Sequence, residues 1–318
     1  MHTRKSGVVI LLILIAVLLF SLQWKSTINI RIPIIKNSSL TSMQIDAQLD
    51  VSDSRRKKQF IVFVIPTMPE DTDIRNLFRS TWMNLTAWGK ELQGIDSQFL
   101  KFRVMFILGE ERNKTISSRV SKELINNEDM FVFRGEEEHR IVLKYKVLWG
   151  MSVASAFFDY SYLVKIDTDT FVDLPKLIKG LMGYRRTDAY TGYCKLRLGG
   201  YVAQTVPRAH QYKYCGGGGY ILSRDLVDKT RQLDSSIHDT HIVPEDGYIG
   251  WLLFHVQQNR GNENRGSSIE IPQERDDVTY MYHKKGVFTF NHWFQHRIKS
   301  LKEMSDMYEA RLSGNMKP

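Results

Sequence analysis

The stretch Lys165-Ile166-Asp167-Thr168-Asp169-Thr170-Phe171-Val172 decides how the rest of the chain is read. The apolar run Tyr162-Leu163-Val164 leads into it, and such β-branched and aromatic side chains suit a buried strand. Two carboxylates one residue apart then stand at the strand's end, where desolvation is costly unless something positive meets them. A hard cation on oxygen ligands, itself gripping a diphosphate, would meet that need. The alternative is a strand-end turn in which Asp side chains accept from nearby amides.

Working outward, apolar runs alternate with helical periodicity. Strands are predicted over 60–65, 102–108 and 130–133, with 162–166 as the fourth. A helix after Pro66 is marked by Ile74, Phe78, Trp82 and Leu85, and its acidic opening (Glu70, Asp71, Asp73) favours a helix N-terminus. A second helix is predicted over 117–126. A third carries Leu143, Val147, Met151, Ala154 and Phe158 on one face. This β-α-β-α-β-α-β order predicts a mostly parallel, doubly wound α/β sheet with helices on both faces. Ligands of such sheets bind beyond the carboxyl ends of the strands, where Asp167 and Asp169 stand.

The N-terminal part sets the compartment. Arg4 and Lys5 precede an uninterrupted apolar segment over 7–22, which Trp24 extends towards the ~20 residues a membrane span needs. No small-x-small cleavage site follows. The expected organisation is a cytosolic tail over 1–6, a transmembrane signal anchor over 7–24, a stem over 25–57 and a lumenal domain over 58–318. The net charge of +9 is scattered apart from Arg55-Arg56-Lys57-Lys58, which argues for a solvated linker rather than a nucleic-acid arm. Lumenal exposure gives meaning to sequons at Asn37, Asn84 and Asn113. Cys194 and Cys215, the two cysteines, could form a disulfide there or remain free thiols.

Three further segments carry candidate chemistry. RNLFRSTW places Arg75 and Arg79 on one helix face, for phosphate or for nearby acids. YCGGGGYILS joins a glycine run, including Gly217 and Gly219, to a strand, so that a backbone can approach a ligand closely or simply turn tightly. EDGYIG sets Glu245 and Asp246 before an apolar stretch, as helix caps or as a general base towards a sugar hydroxyl.

Together with FILG (106–109), and in this order, these segments resemble the β-1,3-galactosyltransferase-like family, inverting glycosyltransferase family 31. The resemblance runs from about Phe60 to His292. It implies a GT-A-like nucleotide-sugar fold and a Golgi type II membrane enzyme. Such an enzyme moves galactose, or N-acetylglucosamine, from its UDP donor to an oligosaccharide acceptor on a glycoprotein or glycolipid, in β-1,3 linkage. It implies donor binding by Lys165, Arg75, Arg79 and Asp167, and Mn²⁺ held by Asp167, Asp169 and His292, with His296 in reserve. Asp246 becomes the base, Glu245 an acceptor-orienting neighbour, and Gly217 and Gly219 part of a substrate loop. Thr168 stands where the family has a middle aspartate and Gly247 where it has valine, and Gln211-Tyr212-Lys213 replaces a proline-rich approach. Those departures leave open a catalytically silent lumenal protein that binds glycans or partner transferases.

Overall fold

Strand β1 (Lys57–Pro66) is the centre of the fold, its last seven residues buried without interruption. Such a run, apolar on both faces, belongs in a parallel sheet covered on both sides. It pairs in parallel with β2 (Phe102–Glu110) on one side and β4 (Phe158–Lys165) on the other, and β2 pairs in parallel with β3 (Met130–Glu137). The computed structural model describes residues 56–137, 142–194, 196–197, 212–236, 244–263, 273–274, 279–280, 293–298 and 300–314. The expected tail, anchor and stem therefore lie outside the described residues, apart from the last two stem positions; Asn37 and His292 also lie outside. Among the described residues no helix is long and apolar enough to cross a membrane.

Connections between the parallel strands are helical, as the alternation of patterns predicts. Helix α1 (Thr72–Ser80) links β1 to β2, α2 (Lys114–Asn126) links β2 to β3, and α3 (Val142–Phe157) precedes β4. The two sheet faces are told apart by alternation along the strands. Phe63 and Phe106 meet Trp82 and Phe78 of the α1 segment through tilted ring contacts of 5.1 and 6.3 Å. Val64 and Ile107, each one residue on, face the opposite side, where a methyl added at Gly150 of α3 would come within 2.8 and 3.1 Å of them. Helices thus cover both faces. Phe158, expected on the helix face, instead opens β4, because α3 passes into the strand without a loop.

Beyond β4 the mostly parallel sheet becomes mixed, with antiparallel pairing next to β4 and a parallel pair at the edge. The order is β10-β6-β9-β4-β1-β2-β3, with β6 (Tyr190–Gly192), β9 (Tyr220–Ser223) and β10 (Gln273–Glu274). β9 runs antiparallel to both β4 and β6. A second, small sheet joins β5 (Phe171–Val172) to β12 (Phe294–Gln295) and β11 (Thr279–Tyr280), and β7 (Leu196–Arg197) pairs antiparallel with β8 (Lys213–Tyr214). Helix α4 (Leu174–Met182) follows β5, α5 (Arg224–Ser236) follows β9, α6 (Glu245–Glu263) comes next and α7 (Leu301–Ser313) closes the described chain.

Candidate active site

Two antiparallel registers build the site around the aspartates. Lys165, the last residue of β4, faces Tyr220, the first of β9. Antiparallel geometry therefore lays the glycines preceding Tyr220 against the residues following Lys165. In the small sheet Gln295 pairs with Phe171, so His296, one residue on, turns back over the residues preceding Phe171. The backbone hydrogen bond from Ile298 N to Asp169 O, 3.0 Å, fixes that return.

Asp167, Asp169 and His296 converge, with one potential ligand atom from each lying within 4.8 Å of the others. His296 Nε2 is 3.1 Å from Asp169 Oδ1 and 3.7 Å from Asp167 Oδ2. Asp169 Oδ1 and His296 Nδ1 are both buried with no hydrogen-bond partner. A desolvated carboxylate oxygen left unsatisfied beside an imidazole suits a divalent cation better than a structural cap, which would use the oxygen on an amide. Two carboxylates and an imidazole form a donor set that can hold a divalent metal ion. His292, the first choice from sequence, lies outside the described residues; the histidine found in the cluster is His296.

The glycine run explains itself here. A Cβ at Gly217 would sit 2.9 Å from both Asp167 Oδ2 and Lys165 Nζ, at Gly218 2.3 Å from His296 Cγ, and at Gly219 2.5 Å from the Phe294 ring. At Gly218 and Gly219 the root of His296 and the Phe294 ring exclude any side chain, whereas at Gly217 only the ends of Asp167 and Lys165 would have to give. Thr170 Oγ1 donates to Gly218 O at 2.9 Å, tying the run to the strand end. Gly217 and Gly219 are therefore spacers that let the site close.

Asp246 also contacts the run. Gly217 N donates to its Oδ2 at 3.1 Å, and Gly247 N to its Oδ1 at 2.9 Å. Desolvation raises the Asp246 carboxyl above the ordinary aspartate range, although the Lys165 charge and both amides oppose this. Such a carboxyl, more basic than an ordinary aspartate, is suited to accept a proton. The half-buried Tyr214 lies beside it, with its backbone packed against Gly250 one turn along α6.

Other expected donor and acceptor residues occupy different places. Arg75 is fully buried and its donors are consumed internally: Nε and Nη2 on Glu123 at 2.9 and 2.7 Å, Nη1 on Thr67 Oγ1 and Met68 O at 3.1 and 2.7 Å. Arg79 reaches Glu123 at 2.7 Å and Asp129 at 2.8 Å. The expected donor contact for these arginines is thus replaced by an ion-pair network that binds the loop after β1 to α2, the nearby-acid alternative of the sequence reading. Glu245 is buried, with Tyr220 Oη donating to it at 2.5 Å. Lys165 is 1% exposed and engages Asp167, Glu245 and Gly217 O, which leaves no donor for a nucleotide. It stays charged, because two carboxylates outweigh the desolvation that would otherwise lower it. Cys194 and Cys215 form a disulfide, which ties the end of β6 to the start of the glycine run.

The family profile described as Galactosyltransferase matches residues 73–263, more than half of the chain. This chain belongs to the galactosyltransferase family. It is accordingly a hexosyltransferase. Among relatives, mouse beta-1,3-galactosyltransferase 1 is 27% identical over 239 residues, covering 69% of either chain. Human UDP-GalNAc:beta-1,3-N-acetylgalactosaminyltransferase 1 is 26% identical over 249 residues, 70% of this chain and 65% of that one. A solved glycosyltransferase involved in glycosylation of the major capsid of PBCV-1 is 12% identical, with a TM-score of 0.38 over 79% of this chain and 98% of its own. The family match spans Arg75, Asp167, Asp169, the glycine run and Asp246; His296 falls beyond it. The sequence reading holds His296 in reserve behind His292, and the register of β12 on β5 brings it to the aspartates.

Proposed function

We propose that this galactosyltransferase-family chain transfers a hexose from a UDP-sugar to an oligosaccharide hydroxyl, in β-1,3 linkage and with inversion. Galactose is the leading donor sugar and N-acetylglucosamine the second; N-acetylgalactosamine joins them through the name of the human relative. The observation that carries the reading is that an Asp167–Asp169–His296 cluster and the carboxylate of Asp246 both lie against one glycine run. The strand-end position of the aspartates supports a GT-A-like arrangement.

Asp246 accepts the proton of the acceptor hydroxyl as its oxygen attacks the anomeric carbon. The bond from that carbon to the diphosphate oxygen breaks, its electron pair leaves with UDP, and a single displacement inverts the centre. Mn²⁺ held by Asp167, Asp169 and His296 supplies charge neutralisation for the departing diphosphate when bound. Glycan acceptors on glycoproteins or glycolipids, a Golgi setting and a signal anchor over 7–24 with a stem over 25–57 complete the proposal. Asn84 and Asn113 are exposed, and each uses its side-chain oxygen as a cap for the next amides, leaving the amide nitrogen for a glycan.

The test uses the full-length protein with UDP-galactose, UDP-N-acetylglucosamine and UDP-N-acetylgalactosamine in Mn²⁺. UDP release should rise with a β-linked sugar acceptor and vanish in Asp246→Asn. Release from no donor, or a variant as active as the parent, would remove the proposal.

A further inference from the structure

One atom joins the two halves of this site. Lys165 Nζ donates to Asp167 Oδ1 at 2.7 Å, to Gly217 O at 3.1 Å, and lies 2.9 Å from Glu245 Oε2. These acceptors belong to three separate segments: the end of β4, the glycine run and the start of α6. An ammonium has three donors, so the set is complete. Glu245 is locked in turn by Tyr220, and its neighbour Asp246 receives the amide of the same Gly217 whose carbonyl Lys165 holds.

We infer that Lys165 is the positioning residue that sets the distance between the donor-side carboxylate Asp167 and the base Asp246. The inference rests on the proposed transferase reading, in which those two residues serve donor and acceptor. Lys165 touches no substrate. It acts by fixing where Glu245 and Gly217 place Asp246 relative to the strand end. Transfer to a sugar hydroxyl needs the base, the oxygen and the anomeric carbon in register, and a misplacement of ~1 Å can cost about 100-fold. Water, being small and free to turn, tolerates looser placement. A shifted Asp246 therefore damages transfer more than it damages donor hydrolysis. A lysine that only held the fold would scale both activities together with the amount of folded protein.

Full-length protein is assayed with UDP-galactose and Mn²⁺, with and without benzyl β-glycosides of N-acetylglucosamine and galactose, for sugar transfer and for UDP released to water. The double variant Lys165→Met/Glu245→Gln removes the buried charges as a pair, so neither is stranded. Its transfer kcat is expected to fall about 100-fold, and its transfer-to-hydrolysis ratio at least ~10-fold. Gly217→Ala is the second arm, because it keeps every charge while its Cβ presses on Lys165 Nζ and Asp167 Oδ2. Its ratio should fall in the same direction. Equal loss of both activities, or an unchanged ratio in Gly217→Ala, overturns the role of Lys165 and leaves the transferase reading standing. No UDP release by the unaltered protein overturns both.

Discussion

His296 Nε2 lies 3.1 Å from Asp169 Oδ1, yet that carboxylate oxygen forms no hydrogen bond. Two such groups, held together by strand pairing and unsatisfied, mark the place where a cation is expected. His296→Ala should weaken Mn²⁺ binding by at least ~10-fold, measured by electron paramagnetic resonance titration in the presence of UDP. Chelation should stop transfer, and added Mn²⁺ should restore it. An unaltered Mn²⁺ affinity in the variant would rule out His296 as a ligand.

The position of Gly218 gives a second check on the same histidine. A methyl there would sit 2.3 Å from His296 Cγ and 2.6 Å from its Cβ, near the root of the side chain where rotation gives little relief. Gly218→Ala should lose Mn²⁺ affinity alongside His296→Ala while circular dichroism stays native. Full affinity in a folded Gly218→Ala protein would contradict the packing described.

Asp246 should govern the acid limb of the rate. Its carboxyl is raised by desolvation beyond what Lys165 and the two amides offset. A raised value means that protonation, and loss of the base, begins at a higher pH than for an ordinary aspartate. The kcat/KM profile should therefore fall on acidification with a midpoint above the usual aspartate range. Asp246→Asn should lower kcat by ~10²–10⁴-fold, with the KM for donor changed far less. A profile flat down to the ordinary aspartate range would place the base elsewhere.

The Arg75–Glu123–Arg79 network should matter for stability rather than for donor binding. Desolvation pushes the Glu123 carboxyl up, but hydrogen bonds from Arg75 and Arg79 outweigh it and hold the group below the ordinary glutamate range. The folded value is depressed, so this contribution is complete above the unfolded glutamate value and is lost as pH falls through the folded one. Arg75→Met should cost ~3–5 kcal/mol by leaving Glu123 poorly paired, read from denaturant unfolding at neutral pH, with the deficit shrinking in acid. A donor KM raised many-fold at unchanged stability would reverse this assignment.

Local pattern made half the fold legible. The buried run of β1, the acid-opened α1 and the period of α3 each carry their signal within a few neighbouring residues. So does the strand-end position of Asp167 and Asp169. Long-range registers are silent in sequence. Nothing near His296 says that β12 folds back onto β5, and nothing near Glu245 says that its carboxylate turns towards Lys165 and Tyr220. The two arginines illustrate the limit from the other side. Their i, i+4 spacing shows that they share a face, but only the fold shows that Glu123 and Asp129 wait opposite them.

The return of β12 has a consequence for biosynthesis. The aspartates leave the ribosome well before His296. Its placement depends on Trp293, whose carbonyl accepts from Asp173 N at 2.9 Å and whose indole fills the space beside Gly180. Arg311 of α7, ion-paired with Asp173 and Glu91, clamps the same corner. A nascent chain halted anywhere before this segment can already hold the parallel strands, yet it lacks the histidine of the cation cluster. The cluster is therefore assembled only after His296 has been synthesised and β12 has returned onto β5.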